Sequence, residues 1–167
     1  MDRHRQEEPG AGRPVDVEVL LLRRTDDGGL AYRVRRSPLH ADDHPDLAAL
    51  LLAGCCSPAV SHSTSWRAED DTLVLTYAVV PDPDRAEPAL PLPHPLVVWS
   101  GDPTRPSPKG LHLHHVAAHA VRHLAGLRVT DPGVRRAAAD GDPIWDVIAS
   151  FADTTVAVHE LLPPDHD

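Results

Sequence analysis

Residues 15–24, VDVEVLLLRR, place Val15, Val17, Val19 and Leu21 on one face, the two-residue period of a β-strand. The turn residues Asp26-Asp27-Gly28-Gly29 follow. In residues 30–36, Leu30, Tyr32 and Val34 then alternate against Ala31, Arg33 and Arg35, which predicts a hairpin. Residues 46–53, DLAALLLA, read as a short helix stopped by Gly54. A second hairpin joins residues 60–67, VSHSTSWR, to residues 72–80, TLVLTYAVV, around Ala68-Glu69-Asp70-Asp71. Strict alternation puts His62, Thr64 and Trp66 on one face of its first strand and Ser61, Ser63, Ser65 and Arg67 on the other.

Residues 81–95 hold six prolines and read as a long surface loop, since proline suits neither a helix interior nor a central strand. A short strand, LVVWS, follows at residues 96–100. Residues 111–127, LHLHHVAAHAVRHLAGL, have helical periodicity with an apolar side and a polar stripe of His112, His115, His119 and His123. Asp131-Pro132 and Asp142-Pro143 each pair a capping residue with a proline at the first helical position, predicting two more helices. The last carries Ile144, Val147, Ile148, Phe151, Val158 and Leu162 at helical spacing. The order predicts an α+β fold. An antiparallel or mixed sheet of about five strands carries a short inserted helix and packs against C-terminal helices. Residues 1–14 read as a flexible tail and residues 15–163 as one domain.

Composition sharpens this. Aromatics are 4% of the chain, so Leu, Val and Ala must build the core. Lysine occurs once, at Lys109, against abundant Arg, Ala, Pro, Asp and His, the mark of GC-rich, bacterial-type coding, which raises the histidine count by itself. The net charge of -9 disfavours a nucleic-acid partner, because phosphate binding needs clustered cations. No apolar run approaches membrane-spanning length, and no membrane partner is expected. The charged start lacks the apolar core of a signal peptide, and adjacent Cys55 and Cys56 are no disulfide framework. A reducing cytoplasm is the simplest setting.

Two places can carry chemistry. His115 and His119, and again His119 and His123, stand at i, i+4, a spacing that lets two imidazoles chelate one Zn²⁺. His62 or an aspartate from residues 42–46 would complete such a site, and metal-bound hydroxide would make the chain a hydrolase. No carboxylate lies between these histidines, so the base would come from elsewhere. The bland alternative is a solvated or seam-packed polar face, and a third reading is a surface that charges in mild acid. The second place is residues 60–67. His62-Ser63-Thr64 matches the H-x-T element of two-histidine phosphoesterases, which need a second copy that this chain lacks. Trp66 and Arg67 suit a planar anion, and Arg33 and Arg35 join Arg23, Arg24 and Arg36 in a cationic patch on the first hairpin. The competing reading pairs those arginines with Asp26, Asp27, Asp42 and Asp43 as a solvated rim. No G-x-S-x-G, P-loop or G-x-G-x-x-G occurs.

The stretch VEVLLLRRTDDGGLAYRVRRSP and the order of elements over residues 15–125 resemble a Nudix domain. That family holds Mg²⁺ on a diphosphate through the glutamates of its box. The matching region here, LHADDHPDLAALLLAGCC, has no glutamate. The resemblance without its box therefore implies a non-catalytic domain that binds a small anionic ligand or a protein partner, with no cofactor, and His62, Trp66, Arg67, Arg33 and Arg35 are the residues whose chemistry suits that ligand. The alternative is the Zn²⁺ hydrolase built on His115, His119 and His123.

Overall fold

The computed structural model describes residues 12–55, 57–93, 97–99, 110–152 and 156–158. Strands β1 (Val15–Arg24) and β2 (Leu30–Pro38) form the first hairpin. Strands β3 (Val60–Glu69) and β4 (Thr72–Val80) form the second, around a two-residue turn with Asp70 at φ 48°. β1 runs parallel to β4, which joins the hairpins into a mixed sheet of order β3-β4-β1-β2-β5. The structure is thus an α+β fold with a mixed five-stranded sheet.

The fifth strand corrects one expectation. It is β5, Leu90–Leu92, from within the proline-rich segment, and it pairs antiparallel with Leu30–Tyr32 of β2. Pro91 is tolerated because β5 lies at the sheet's edge, where one side of the strand needs no donor. Within residues 96–100, Val97–Trp99 form β6, which pairs in parallel with β7 (Val156–Val158) in a separate two-stranded sheet.

Helices cover both faces. Helix α1 (Pro45–Ala53) begins with proline at its first position and ends at Gly54, whose φ of 74° is the left-handed geometry that glycine adopts without strain. It buries Ala49 and Ala53 against Val17, Val19, Leu21, Tyr77 and Val79. On the opposite face α2 (Leu113–Thr130), α3 (Pro132–Ala139) and α4 (Ile144–Ser150) pack on Leu20, Leu22, Leu30, Tyr32, Ala78 and Val80. Ala117, Ala118, Ala120 and Ala125 are buried along α2, so small side chains let it approach the sheet closely. Asp131 caps α3 by accepting the Val134 N–H at 2.8 Å. The last helix is shorter than its periodicity predicts. It ends at Ser150, Phe151 is its C-cap, and Val158 lies in β7. Leu162 lies outside the described residues.

Residues 1–11 of the expected tail also lie outside the described residues. Its last residues are tied down: Arg13 donates to the carbonyls of Asp70 and Asp71, and the Pro14 carbonyl accepts the Leu73 N–H at 2.8 Å.

Strand β3 breaks the predicted alternation. Ser63 faces Tyr77 and Ser65 faces Thr76, so Thr64 is the extra residue of a β-bulge. The bulge reverses every side chain after it. His62, opposite Ala78, shares the α2 face with Arg67, opposite Val74, whereas Trp66, opposite Leu75, points to the α1 face.

On the α2 face, the Arg67 guanidinium grips both oxygens of the buried Glu18 carboxylate at 2.8 Å, and Thr76 donates to the same carboxylate. Removing one member leaves an uncompensated buried charge. Glu18→Ala should cost about 3–5 kcal/mol of unfolding free energy, typical for breaking a buried pair. Urea denaturation measures it. A cost comparable to that of Arg36→Ala, at the exposed end of the same network, would contradict this assignment.

Candidate functional site

The five residues expected to bind an anion do not converge. Arg67 is committed to Glu18 and, through Nε, to Glu69. Arg33 is equally committed. It chelates the buried Asp82 carboxylate through Nε at 2.8 Å and Nη2 at 2.5 Å. Arg33 and Arg23 hold this carboxylate below its usual range against the opposing effect of burial. Arg23 also donates to the carbonyls of Asp84 and Arg85, so the two arginines strap the proline-rich segment onto the first hairpin. Arg36 pairs with Asp16 and Glu69. Asp82, Asp16 and Glu69 therefore neutralise Arg23, Arg33 and Arg36. Of the rim acids, Asp27 acts electrostatically on Arg24. Trp66 is 58% exposed and faces away from Arg67.

Arg35 is different. It lies on the α1 face and donates from Nη1 to the Leu52 carbonyl at 3.1 Å, near the C-terminus of α1. Among the described residues it makes no ion pair. It lines a cleft of about 440 Å³ with Tyr32, Val34, Glu87, Leu90 and Leu113, and with Arg33. The cleft exists because β5 covers β2 only as far as Tyr32, so the rest of β2 has no neighbour strand on that side among the described residues. Glu87 acts electrostatically on Arg33. No periodicity signalled this cleft, because its walls come from β2, β5, α2 and the connection before β5.

The histidine stripe divides into two groups. At the start of α2, His112 is the N-cap, and it forms a reciprocal capping box with His115, whose Nδ1 accepts the His112 N–H at 3.2 Å. His114, absent from the predicted stripe, stacks on His112 with 9° between the planes and lies tilted against His115, the ring centroids 4.0 Å apart. His115 is thus drawn away from His119 and His123. These two meet β3 instead. The rings of His123 and His62 are 5.5 Å apart, and His119 is hydrogen-bonded to the backbone of Thr64, the bulge residue. In the described conformation no three His, Cys, Asp or Glu side chains stand together as a metal-binding group.

Where the resemblance would require glutamates, α1 presents Asp46 alone, and that carboxylate accepts the Tyr77 hydroxyl at 2.7 Å. Burial and this carboxylate push the Tyr77 phenol well above its ordinary range. Among the described residues no helix is long and apolar enough to cross a membrane. No protein-family model, no curated protein and no solved structure matches the chain.

Burial lowers the pKa of His119 and His123 below the usual 6.5, His119 being desolvated on its β3 side while it stays exposed on the other. Arg122 lowers His119 further, and His62 and His119 lower His123. A depressed folded-state pKa means that protonation favours the unfolded chain. The stability these two groups protect is complete above 6.5 and is lost as pH falls through their folded values. Asp82 and Glu69, also depressed, lose theirs only below their ordinary 3.8 and 4.5. The melting temperature in EDTA-containing buffer should therefore begin to fall just below pH 6.5, ahead of a second fall below pH 4.5. His119→Gln with His123→Gln should flatten the upper step alone. An unchanged upper step in that double variant would refute the assignment.

Proposed function

We propose that this chain is a binding module, a Nudix-like domain without the catalytic box, and that it takes a small anionic ligand in the cleft beside the free end of β2. The observation that carries this reading is Arg35. It is the one member of the predicted arginine trio that makes no ion pair among the described residues, and it lines a cleft of small-molecule size. Arg33 is held in place by Asp82, so it frames the cleft without donating its charge freely. Val34, Leu90 and Leu113 supply apolar wall. This favours a ligand with a carboxylate or phosphate at one end and an apolar body at the other. A carboxylate presented by a partner protein would use the same guanidinium, but a cleft of this volume suits a small molecule better.

Support for the non-catalytic half of the reading comes from α1. Its leucines and alanines stand where the box would carry glutamates, and Asp46 is occupied by Tyr77. The metal-dependent hydrolase draws less support, since His115 belongs to the helix cap.

Titration of isotopically labelled protein with inorganic pyrophosphate, followed by amide shifts, tests the site. Shifts should saturate and centre on Tyr32–Arg35 and Leu113. Arg35→Gln should weaken binding at least about tenfold, the worth of one charge-assisted hydrogen bond. Saturable shifts confined to another surface, or none, would overturn the location. Turnover of pyrophosphate in the presence of Mg²⁺ would overturn the non-catalytic reading.

A further inference from the structure

The edge of β2 opens where β5 ends. Leu30 pairs with Leu92, Ala31 with Pro91 and Tyr32 with Leu90. Pro91 has no N–H, so Ala31–Pro91 is the pair without hydrogen bonds, and the backbone groups of Leu30 and Tyr32 point at β5. The other side of the strand agrees. The Leu39 N–H donates to the Val15 carbonyl at 2.8 Å and the Thr25 N–H to the Gly29 carbonyl at 3.0 Å. Counted in twos from these bonds, Arg33, Arg35 and Ser37 bond to β1, and Val34 and Arg36 turn their N–H and C=O groups outward. The β2–β5 register, carried on, would set Pro88 opposite Val34. Proline cannot donate to the Val34 carbonyl, so the ladder stops at Tyr32. Among the described residues no strand covers β2 beyond that point.

The Arg35 cleft lies along this edge. Its lining alternates between the two faces of the sheet. Tyr32 and Val34 belong to the α2 side, with Leu113, and Arg33 and Arg35 to the α1 side. An extended chain laid there has the same alternation. Its residue opposite Val34 would exchange hydrogen bonds with the Val34 N–H and C=O. The side chain of that residue would face Val34 and Leu113, so an apolar one fits. The next side chain along would face the α1 side. There Arg35 gives Nη1 to the Leu52 carbonyl and makes no other hydrogen bond among the described residues. Arg33 already holds Asp82, which leaves Arg35 as the partner for a negative group.

We propose that the ligand of this cleft is a short extended peptide, an apolar residue next to one that carries a carboxylate, which adds to the free edge of β2 opposite Val34 and pairs its carboxylate with Arg35. This rests on the placing of an anion in the Arg35 cleft and goes past it, because it requires an amide group in the ligand. Main-chain bonds supply affinity in this mode, and the alternate side-chain positions supply selectivity. A cleft of about 440 Å³ suits a few residues and not a folded partner.

The test uses the full chain and the peptide acetyl-Asp-Leu-Asp-amide, whose two acids serve either strand direction. Amide hydrogen exchange, read by NMR, should find Val34 exchanging faster than Arg33 and Arg35 in the free protein. Saturating peptide should slow Val34 at least about tenfold. The same peptide built with N-methylleucine keeps both charges and the apolar side chain but lacks the central N–H. It should bind at least about fivefold more weakly, the worth of one hydrogen bond. Equal binding of the two peptides, each weakened by Arg35→Gln, would overturn the edge pairing and leave the anion cleft standing. Pyrophosphate shifts at Tyr32–Arg35 without any binding of peptide would do the same. If neither ligand shifts these residues, both readings fall. A Val34 amide as protected as that of Arg33 in the free chain would also overturn the proposal.

Discussion

Strand β1 has to hide both of its faces. Its run Val19-Leu20-Leu21-Leu22 is fully buried, the odd positions under α1 and the even ones under α2 and α4. A central strand of this kind cannot be satisfied by one hairpin. It needs β2 on one side and β4 on the other, and its parallel pairing with β4 forces the chain to travel between them through a crossover. Between β1 and β4 the chain passes through β2, α1 and β3, and α1 covers one face of β1. The layered arrangement of the whole domain follows from these four residues.

Burial of the sheet creates a second demand. Arg33 and Arg67 lie on strands whose faces are covered, so each brings a carboxylate with it. Arg33 takes Asp82 and Arg67 takes Glu18. Such pairs add little or no net stability over an apolar replacement, but losing one member is costly. They explain why a cationic patch in the sequence becomes a neutral, structural feature in the fold. Of Arg33, Arg35 and Arg67, Arg35 is the one without a carboxylate partner among the described residues, and its strand segment runs past the end of β5.

Much of the fold is legible in the chain. Both hairpins, α1 with its glycine stop, α2, and the Asp-Pro start of α3 follow from period, turn residues and caps. The failures have physical causes. A bulge has no local sequence mark, so alternation through Thr64 assigned Trp66 and Arg67 to the wrong faces. A three-residue edge strand containing Pro91 looks like loop, because only its partner Leu30–Tyr32 defines it. The tail of the last helix kept its spacing past Ser150, but three apolar residues in a row, Val156–Val158, pair as a strand with β6. The candidate site was partly readable. Periodicity placed His119 and His123 on one face, yet it could not show that His115 turns to the helix cap, nor that His62 comes from another element to meet the pair.

The bulge at Thr64 bears on more than the histidines. β3 is the long outer edge of the sheet, ten residues with no neighbouring strand on their outer side among the described residues. A straight edge of that length would be a template for a strand from another copy, the first step of aggregation. An extra residue at its middle puts the backbone donors and acceptors on either side out of register, so no regular strand can pair along the whole edge. The irregularity that brings His62 and Arg67 onto one face also interrupts the regular template that an edge strand offers to another strand.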